Sequence, residues 1–557
     1  MRRFGIVILG LSFIVCASAQ ANPAKPGKAA IASAHPTATA AGFEILEAGG
    51  NAFDAAVAVS ATTAVVEPYS SGIGGGGFWL LHRAKDGQQV MIDGREKAPL
   101  QAHRDMYLDS SGKVIANLSV DGALAAGIPG EPAALVHIAK QYGRLPLAKS
   151  LAPAIRAAKT GFKVTPHYQR MAKFRLKALQ ASPAAAKIFL KDNAVPPLGY
   201  VIKQTDLANT LNAMAQHGHA GFYQGDVARR LVVGNRAAGG IWLQQDLKKY
   251  NIIERKPVTG SYKGYRVTSV TPPSSGGIAI IQMLNILNGF DLEKMDVVQR
   301  THVIAETMRR AYRDRAEFLG DSDFVKVPIN KLVNSDYAKQ LRSSIDLTSA
   351  TSSRNLKPVA TKDSGFHTTH FSILDKEGNR VAATLSINYP FGSCFVPPGT
   401  GVLLNDEMDD FSAKPGVPNV YGLVGAEANA IAPGKRMLSS MSPSFVENEN
   451  RLAIIGTPGG SRIITMVLHG ILGFVEGKDA SSIVNKPRYH HQYLPDHIQY
   501  EPDAFTVKDR AGLKMLGHEL KALDNTYGNM HVVIHDKKNN KVSAASDRRG
   551  EGQAVVK

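Results

Sequence analysis

Two periods of apolar and polar residues alternate along the chain, and the change from one to the other marks its elements. Spacing of three and four residues predicts a helix over 37–47, closed by Gly49-Gly50, and another over 52–66, capped by Asn51 and ended by Pro68. Phe78 to Leu81 and Gln88 to Ile92 read as strands about an Asp86-Gly87 turn. From about 130 to 345 the pattern is mostly helical, including 204–217 and an amphipathic stretch over 297–318, and Pro272 to Gly277 reads as a rigid turn opening a further apolar helix. Residues 342–366 are rich in Ser and Thr and predict a polar, mobile linker. Beyond it, Thr369 to Leu374 and Arg380 to Ile387 alternate with period two around Asp375-Lys376-Glu377-Gly378-Asn379, a hairpin signal. Centring the turn on Glu377 sets Thr368 opposite Ser386, with Asn388 just beyond the pair.

Two glycine-rich segments interrupt the periodicity. Ser71 to Gly77 follows a helix and precedes a strand, the reverse of the order a dinucleotide site needs, so close backbone approach is the preferred reading. Thr457-Pro458-Gly459-Gly460-Ser461-Arg462 follows an apolar strand, 452–455, and opens a helical run, 463–475. Glycine N–H groups at such a helix start can stabilise a developing oxyanion, which makes Gly459 and Gly460 oxyanion-hole candidates. An ordinary glycine turn is the alternative.

Composition narrows the class. The 557 residues, 44% hydrophobic and 20% charged, describe a globular chain. The net charge of +18 sits wholly before residue 368, because 368–557 balance 20 Lys/Arg against 20 Asp/Glu. Those basic residues are dispersed, which predicts a solvated surface and no nucleic-acid partner. Met1-Arg2-Arg3, an apolar run over 4–15 and Ala17-Ser18-Ala19 read as a cleavable export signal, residues 1–19. A periplasmic or secreted protein with no membrane anchor is expected. Without that segment Cys394 is the only cysteine, so no internal disulfide is expected. His490-His491 lacks a helical metal-ligand spacing, and no metal or organic cofactor is expected.

One chemistry needs a linker, a threonine at the start of a strand and a hydroxyl across the hairpin together. A threonine hydroxyl is a weak nucleophile, but a threonine that becomes a chain N-terminus carries its own base, an α-amine of pKa about 7.7–8.0. The expectation is that Thr368 attacks the His367 carbonyl, cuts the chain there and frees that amine. The acidic run Asp406-Glu407-Met408-Asp409-Asp410 lacks the glycine and alternating ligands of a calcium loop and suits an ammonium group better.

The segments DGREKAP (93–99), PPSSGG (272–277), TTHFSILDKEGN (368–379), NDEMDDFSAKPGVPNVYGLVG (405–425), KRMLSSMSP (435–443) and GTPGGSRI (456–463) resemble those of the γ-glutamyltransferases, or glutathione hydrolases, in order from about residue 28 to 550. The resemblance implies an α+β fold, the N-terminal-nucleophile hydrolase αββα sandwich, formed as one compact body from a large subunit, 20–367, and a small one, 368–557. It makes Thr368 the nucleophile, with Thr384 and Ser386 as supporting hydroxyls. Threonine is common where Ser386 stands, and loss of its rotamer-fixing methyl predicts slower processing. Arg95, Ser439 and Ser440 match positions that hold the substrate α-carboxylate, as a guanidinium fork suits. Asn388, Glu407 and Asp410 match those for the α-ammonium, Gly459 and Gly460 the oxyanion hole, and Tyr421 a lid. Glutathione and related γ-glutamyl compounds are the implied donors, and water, amino acids or dipeptides the acceptors. A glutaryl or cephalosporin acylase of the same fold is the nearest alternative, and an exported solute-binding protein that never cuts itself a remote one.

Overall fold

A computed structural model of the protein describes residues 25–356, 368–414, 416–417 and 419–557. The segment 1–19 and His367 therefore lie outside the described residues.

Two antiparallel sheets lie face to face. The seven-stranded sheet runs in the order Gln553–Val556, Ala30–Ser33, Thr369–Leu374, Arg380–Ser386, Gly76–Arg83, Gln88–Gly94, Ile253–Arg255. The six-stranded sheet runs Lys541–Ser546, His531–Asp536, Arg451–Gly456, Ser444–Glu447, Tyr265–Ser269, Val258–Tyr262. Strict alternation decides what fills each layer. Ala30, Ala32, Leu80, Leu374 and Ala382 meet Phe445, Leu452, Ile454 and Val533 between the sheets. The intervening residues Ile31, Trp79, Leu81, Ile373, Val381 and Ala383 face outward into a cluster shared with the helices Ala52–Val66 and Glu131–Gln141. On the other side, Val446, Ala453, Ile455 and Val532 pack under Gly276–Leu287, Val297–Phe318 and Ile463–Val475. The result is the expected αββα sandwich.

Each sheet draws strands from both sides of residue 368. Ala30–Ser33 pairs with Thr369–Leu374 on one edge and Gln553–Val556 on the other. Burying one large apolar side chain contributes about 1.5–3 kcal/mol, so a chain cut before Thr368 retains a core that neither fragment completes alone.

The two N-terminal helices form at Pro36–Glu47 and Ala52–Val66, with Gly49 in the left-handed region and Asn51 and Asp54 closing a reciprocal cap. The hairpin has the expected register, Leu385 opposite Thr369 and Arg380 opposite Leu374. The glycines at 74–77 are places of close approach: a Cβ on Gly74 would lie 2.0 Å from the Leu403 carbonyl oxygen, and one on Gly75 2.1 Å from that of Ser386.

Two expectations are corrected. The mostly helical reading of 130–345 overlooks the strands Ile253–Arg255, Val258–Tyr262 and Tyr265–Ser269, the last two joined by a tight turn at Lys263-Gly264 with both residues at positive φ. The linker over 342–366 is anchored in its described part. The Ser353 N–H donates to Asp496 at 2.7 Å, the Thr351 N–H to Glu306 at 3.1 Å, and Ser353 is buried.

Candidate active site

Thr368 is buried at the start of the strand Thr369–Leu374, on the face that looks into the gap between the sheets. Two residues on, His370 meets Thr384 across the hairpin, Nδ1 to Oγ1 at 2.9 Å, and Nε2 lies 3.2 Å from the Ser372 hydroxyl. Burial, aided by the neighbouring His531, holds His370 well below the usual histidine range, so the ring is neutral. Thr384 thus lies beneath the nucleophile candidate as part of a buried hydrogen-bonded row. Ser386 is at the strand end, where its Oγ accepts the Asn388 N–H at 2.8 Å. Asn388 stands in the left-handed region at φ 74° and turns the chain toward the acidic segment, its Nδ2 donating to the Asp406 carbonyl at 3.0 Å.

The acidic run divides by function. Glu407 and Asp410, on the short turn Glu407–Asp410, both accept from Arg95, at 2.6 and 2.5 Å. Asp406 instead accepts the Tyr389 N–H at 2.9 Å, and Asp409 accepts the Ser119 hydroxyl at 2.7 Å and the Val420 N–H at 2.9 Å. Asp409 therefore ties down the segment bearing Tyr421. Burial pushes Glu407 up to about 7 against the pull of Arg95. Burial alone would lower the Arg95 guanidinium, but Glu407, Asp410 and Glu96 together outweigh it and keep it charged. Glu96, which the sequence reading did not single out, is fully buried 3.5 Å from Arg95, and neither of its carboxylate oxygens has a hydrogen-bond partner among the described residues.

The serine pair is held from behind. Ser275 donates its N–H (2.8 Å) and its hydroxyl (2.7 Å) to the Ser439 carbonyl, and the Ser439 N–H donates to the Pro273 carbonyl at 2.9 Å. Arg315 then joins Ser275 Oγ (3.0 Å) to Ser440 Oγ (3.2 Å). The PPSSGG motif is thus a bracket for Ser439 and Ser440, a role its turn-like sequence does not reveal, and Arg315 carries no local signal at all. Gly459 and Gly460 have φ of 142° and 56° at the turn that opens Ile463–Val475, and a Cβ on Gly460 would lie 2.5 Å from the Tyr421 ring. Tyr421, itself buried, donates its hydroxyl to the Asn388 carbonyl at 2.7 Å.

One cavity of about 20 Å³ is lined by Thr368, Ser386, Asn388, Arg95, Glu407, Asp410, Tyr421, Ser439, Ser440 and Gly460. Thr384 lies behind it, and Gly459 lines a larger neighbouring cavity that also reaches Thr368. His490 and His491 are buried away from this group, His490 against Thr465 at 2.8 Å and His491 against Asp496 at 3.3 Å.

Two antiparallel sheets between helical layers, with a threonine at the inner end of a central strand beside a glycine turn, define an N-terminal-nucleophile hydrolase. A family model described as gamma-glutamyltranspeptidase matches residues 38–557. The chain is 42% identical to a glutathione hydrolase proenzyme of Escherichia coli over 505 residues, 89% of this chain and 87% of that protein. It is 40% identical to one of Pseudomonas aeruginosa over 569 residues, 99% of each. Among solved structures, a cephalosporin acylase from Bacillus halodurans superposes with a TM-score of 0.82 at 26% identity, covering 99% of each chain. The chain belongs to the γ-glutamyltranspeptidase family and is an enzyme of that class.

Proposed function

We propose that the protein is made as a precursor, cuts itself between His367 and Thr368, and then cleaves the γ-glutamyl amide of glutathione and related compounds. The observation that carries this reading is that Thr368, Gly460, Arg95 and the Glu407–Asp410 pair line one small cavity.

In this reading the freed α-amine of Thr368 takes the proton from its own Oγ, which attacks the γ-carbonyl carbon. Negative charge gathers on the carbonyl oxygen beside Gly459 and Gly460, where each backbone donor is worth about 2.7–4 kcal/mol. The amine proton passes to the departing nitrogen, cysteinylglycine leaves, and a γ-glutamyl ester remains on Thr368. Water, or the amine of an amino acid or dipeptide, then takes the acyl group. Thr384, held by His370, and Ser386, held by Asn388, fix the hydroxyls around the nucleophile.

A zwitterionic α-amino acid suits a site in which Arg95 already faces two carboxylates. Its carboxylate takes donors from Arg95, Ser439 and Ser440, while its ammonium takes acceptors from Glu407, Asp410 and Asn388. Each internal ion pair is exchanged for one with substrate, and no buried charge is left alone. A cavity of about 20 Å³ admits this group only when the pairs separate and Tyr421 moves outward. A glutaryl group has no ammonium to offer, so the acylase reading leaves the Glu407–Asp410 pair unused.

The deciding experiment compares γ-glutamyl and glutaryl anilides with purified protein on a denaturing gel. A γ-glutamyl hydrolase gives fragments of about 37 and 20 kDa from residues 20–367 and 368–557, at the mean residue mass of the chain, and prefers the first anilide. Preference for the second, or an uncut chain, rejects the reading. The basic start, apolar run and Ala17-Ser18-Ala19 of residues 1–19 support an export signal and a periplasmic or secreted enzyme; among the described residues no helix is long and apolar enough to cross a membrane.

A further inference from the structure

Basic residues that are scattered along the sequence are gathered by the fold. Residues 132–205 carry 13 Lys and Arg against a single carboxylate, Asp192, so 12 of the net +18 falls within 74 residues. Much of that stretch forms an excursion from the αββα body. A two-stranded ladder that belongs to neither large sheet, Phe162–Lys163 with Val201–Ile202, closes it at its base. Between the two strands run the helices Pro166–Phe174, Leu176–Ala181 and Pro183–Phe189. Their apolar sides, with Tyr168, Ala172, Leu179 and Phe189, are buried in the core beneath, which turns the basic positions outward.

Of the eight Lys and Arg in residues 161–203 only Arg175 is buried, and it pairs with Asp121 at 2.8 Å. The other seven are exposed, and none makes an ion pair among the described residues. Apolar side chains stand among these cations. Phe174 and Leu198 are each 59% exposed and Val201 41%. Phe174 ends the first helix, between Lys173 and Arg175, with one edge against the Tyr389 ring at 5.5 Å between centroids. Leu198 lies on the turn 196–199, which Gln169 of the same helix ties down by donating to the Pro196 carbonyl at 2.8 Å. Val201 is opposite Lys163 across the ladder, and Lys191 lies over the Tyr200 ring at 5.7 Å.

We infer that this excursion, residues 161–203, is a docking face for an anionic phospholipid surface. Single exposed apolar residues need no explanation, but here they share a surface with unpaired cations of one sign. That is the composition of a face that lies in a membrane interface, with lysine heads on headgroup phosphates and apolar side chains at the acyl boundary. A soluble polyanion would satisfy Lys173, Lys177 and Lys191 and leave Phe174 and Leu198 in water. Docking of this kind is peripheral and reversible, and salt weakens it because attraction between exposed charges is screened over about 8–10 Å at 0.1–0.15 M. His167, Arg170 and Met171 of the first helix also line the cavity beside Thr368, so the docked protein holds its catalytic cleft at the lipid surface.

Sedimentation of the purified, full-length processed protein with vesicles tests this. Vesicles of phosphatidylcholine with about one-third phosphatidylglycerol are compared with pure phosphatidylcholine, at about 0.05 M and about 0.5 M salt. Partition onto the mixed vesicles at low salt is expected to be at least tenfold stronger than onto phosphatidylcholine, and to fall at least tenfold at high salt. Lys173→Glu/Lys177→Glu should lower it at least tenfold and Phe174→Ser at least threefold. The equal charge change Lys508→Glu/Lys514→Glu, also at exposed positions, should leave it within twofold of native. No partition onto the anionic vesicles, or an equal loss in the two double variants, overturns the proposal. Partition that Phe174→Ser and Leu198→Ser both leave within twofold of native overturns the membrane in favour of an acidic polymer, which retention on immobilised polyaspartate would then show.

Discussion

Replacing Arg95 with alanine tests the charge arrangement most severely. As a simple loss of a charge-assisted hydrogen bond to substrate, the change would cost about 1.5–3 kcal/mol of binding and leave the fold alone. The geometry says otherwise. Arg95 is 1% exposed and is the cation facing Glu407, Asp410 and Glu96 at 2.6, 2.5 and 3.5 Å. Removing one partner of a buried pair costs about 3–5 kcal/mol, because the orphaned charge cannot return to water. The variant should therefore lose stability of that order as well as donor affinity. The pH dependence has a definite sign. Without the guanidinium the folded-state pKa of Glu407 rises further above its unfolded value, so the folded variant holds protons the unfolded chain has released. Relative to the native protein, in which Glu407 itself releases its proton only near 7, the pH-dependent part of the deficit is small in acid, opens as pH approaches 7 and grows above it. Adding Glu407→Gln should recover part of the loss. Urea unfolding at pH 5 and 8, for both variants, measures this. A loss within about 1 kcal/mol of native at pH 8, the value of a solvent-exposed pair, with no change across pH, would refute the reasoning.

Further changes probe the other parts of the site. Thr368→Ala should give one uncut, inactive chain on a denaturing gel; two fragments with normal turnover reject the nucleophile. The KM for a γ-glutamyl anilide should fall as pH rises through about 7, because Glu407 must ionise to hold the ammonium, and Glu407→Gln should flatten that limb in steady-state kinetics. Gly460→Ala places a Cβ against the Tyr421 ring at a positive φ, displacing a proposed oxyanion donor, and should lower kcat by about 10²–10³. Ser386→Thr should barely change the rate of self-cleavage in a pulse-chase, because the Asn388 N–H already fixes the serine hydroxyl without a methyl; a large acceleration would favour the rotamer argument made from sequence.

What could be read in advance follows the reach of the signal along the chain. The hairpin register around Glu377 was legible because alternation and a glycine turn determine it locally, and it alone brings Thr368, Thr384 and Ser386 together. The strands Val258–Tyr262 and Tyr265–Ser269 were overlooked because only part of each is buried, which blurs their alternation. The Lys263-Gly264 turn was the available signal. Arg95 and the acidic run carry recognisable motifs, yet 312 residues separate Arg95 from Glu407, so no local pattern announces their direct pairing. Glu96 is hidden for the same reason, as a charged residue whose burial only the tertiary structure creates. The larger cavity beside Thr368 is lined by Glu67, Arg170, Gly459, Tyr527 and Glu551, residues so far apart along the chain that no local pattern announces it.

The central claim is that Thr368 becomes an N-terminus and carries the acyl group. Mass spectrometry of the acid-quenched small fragment during turnover of a γ-glutamyl donor tests it directly. The account predicts a polypeptide beginning Thr-Thr-His, with a single γ-glutamyl adduct on Thr368. Active enzyme whose chain is intact at that point, or whose adduct lies on another residue, would contradict it.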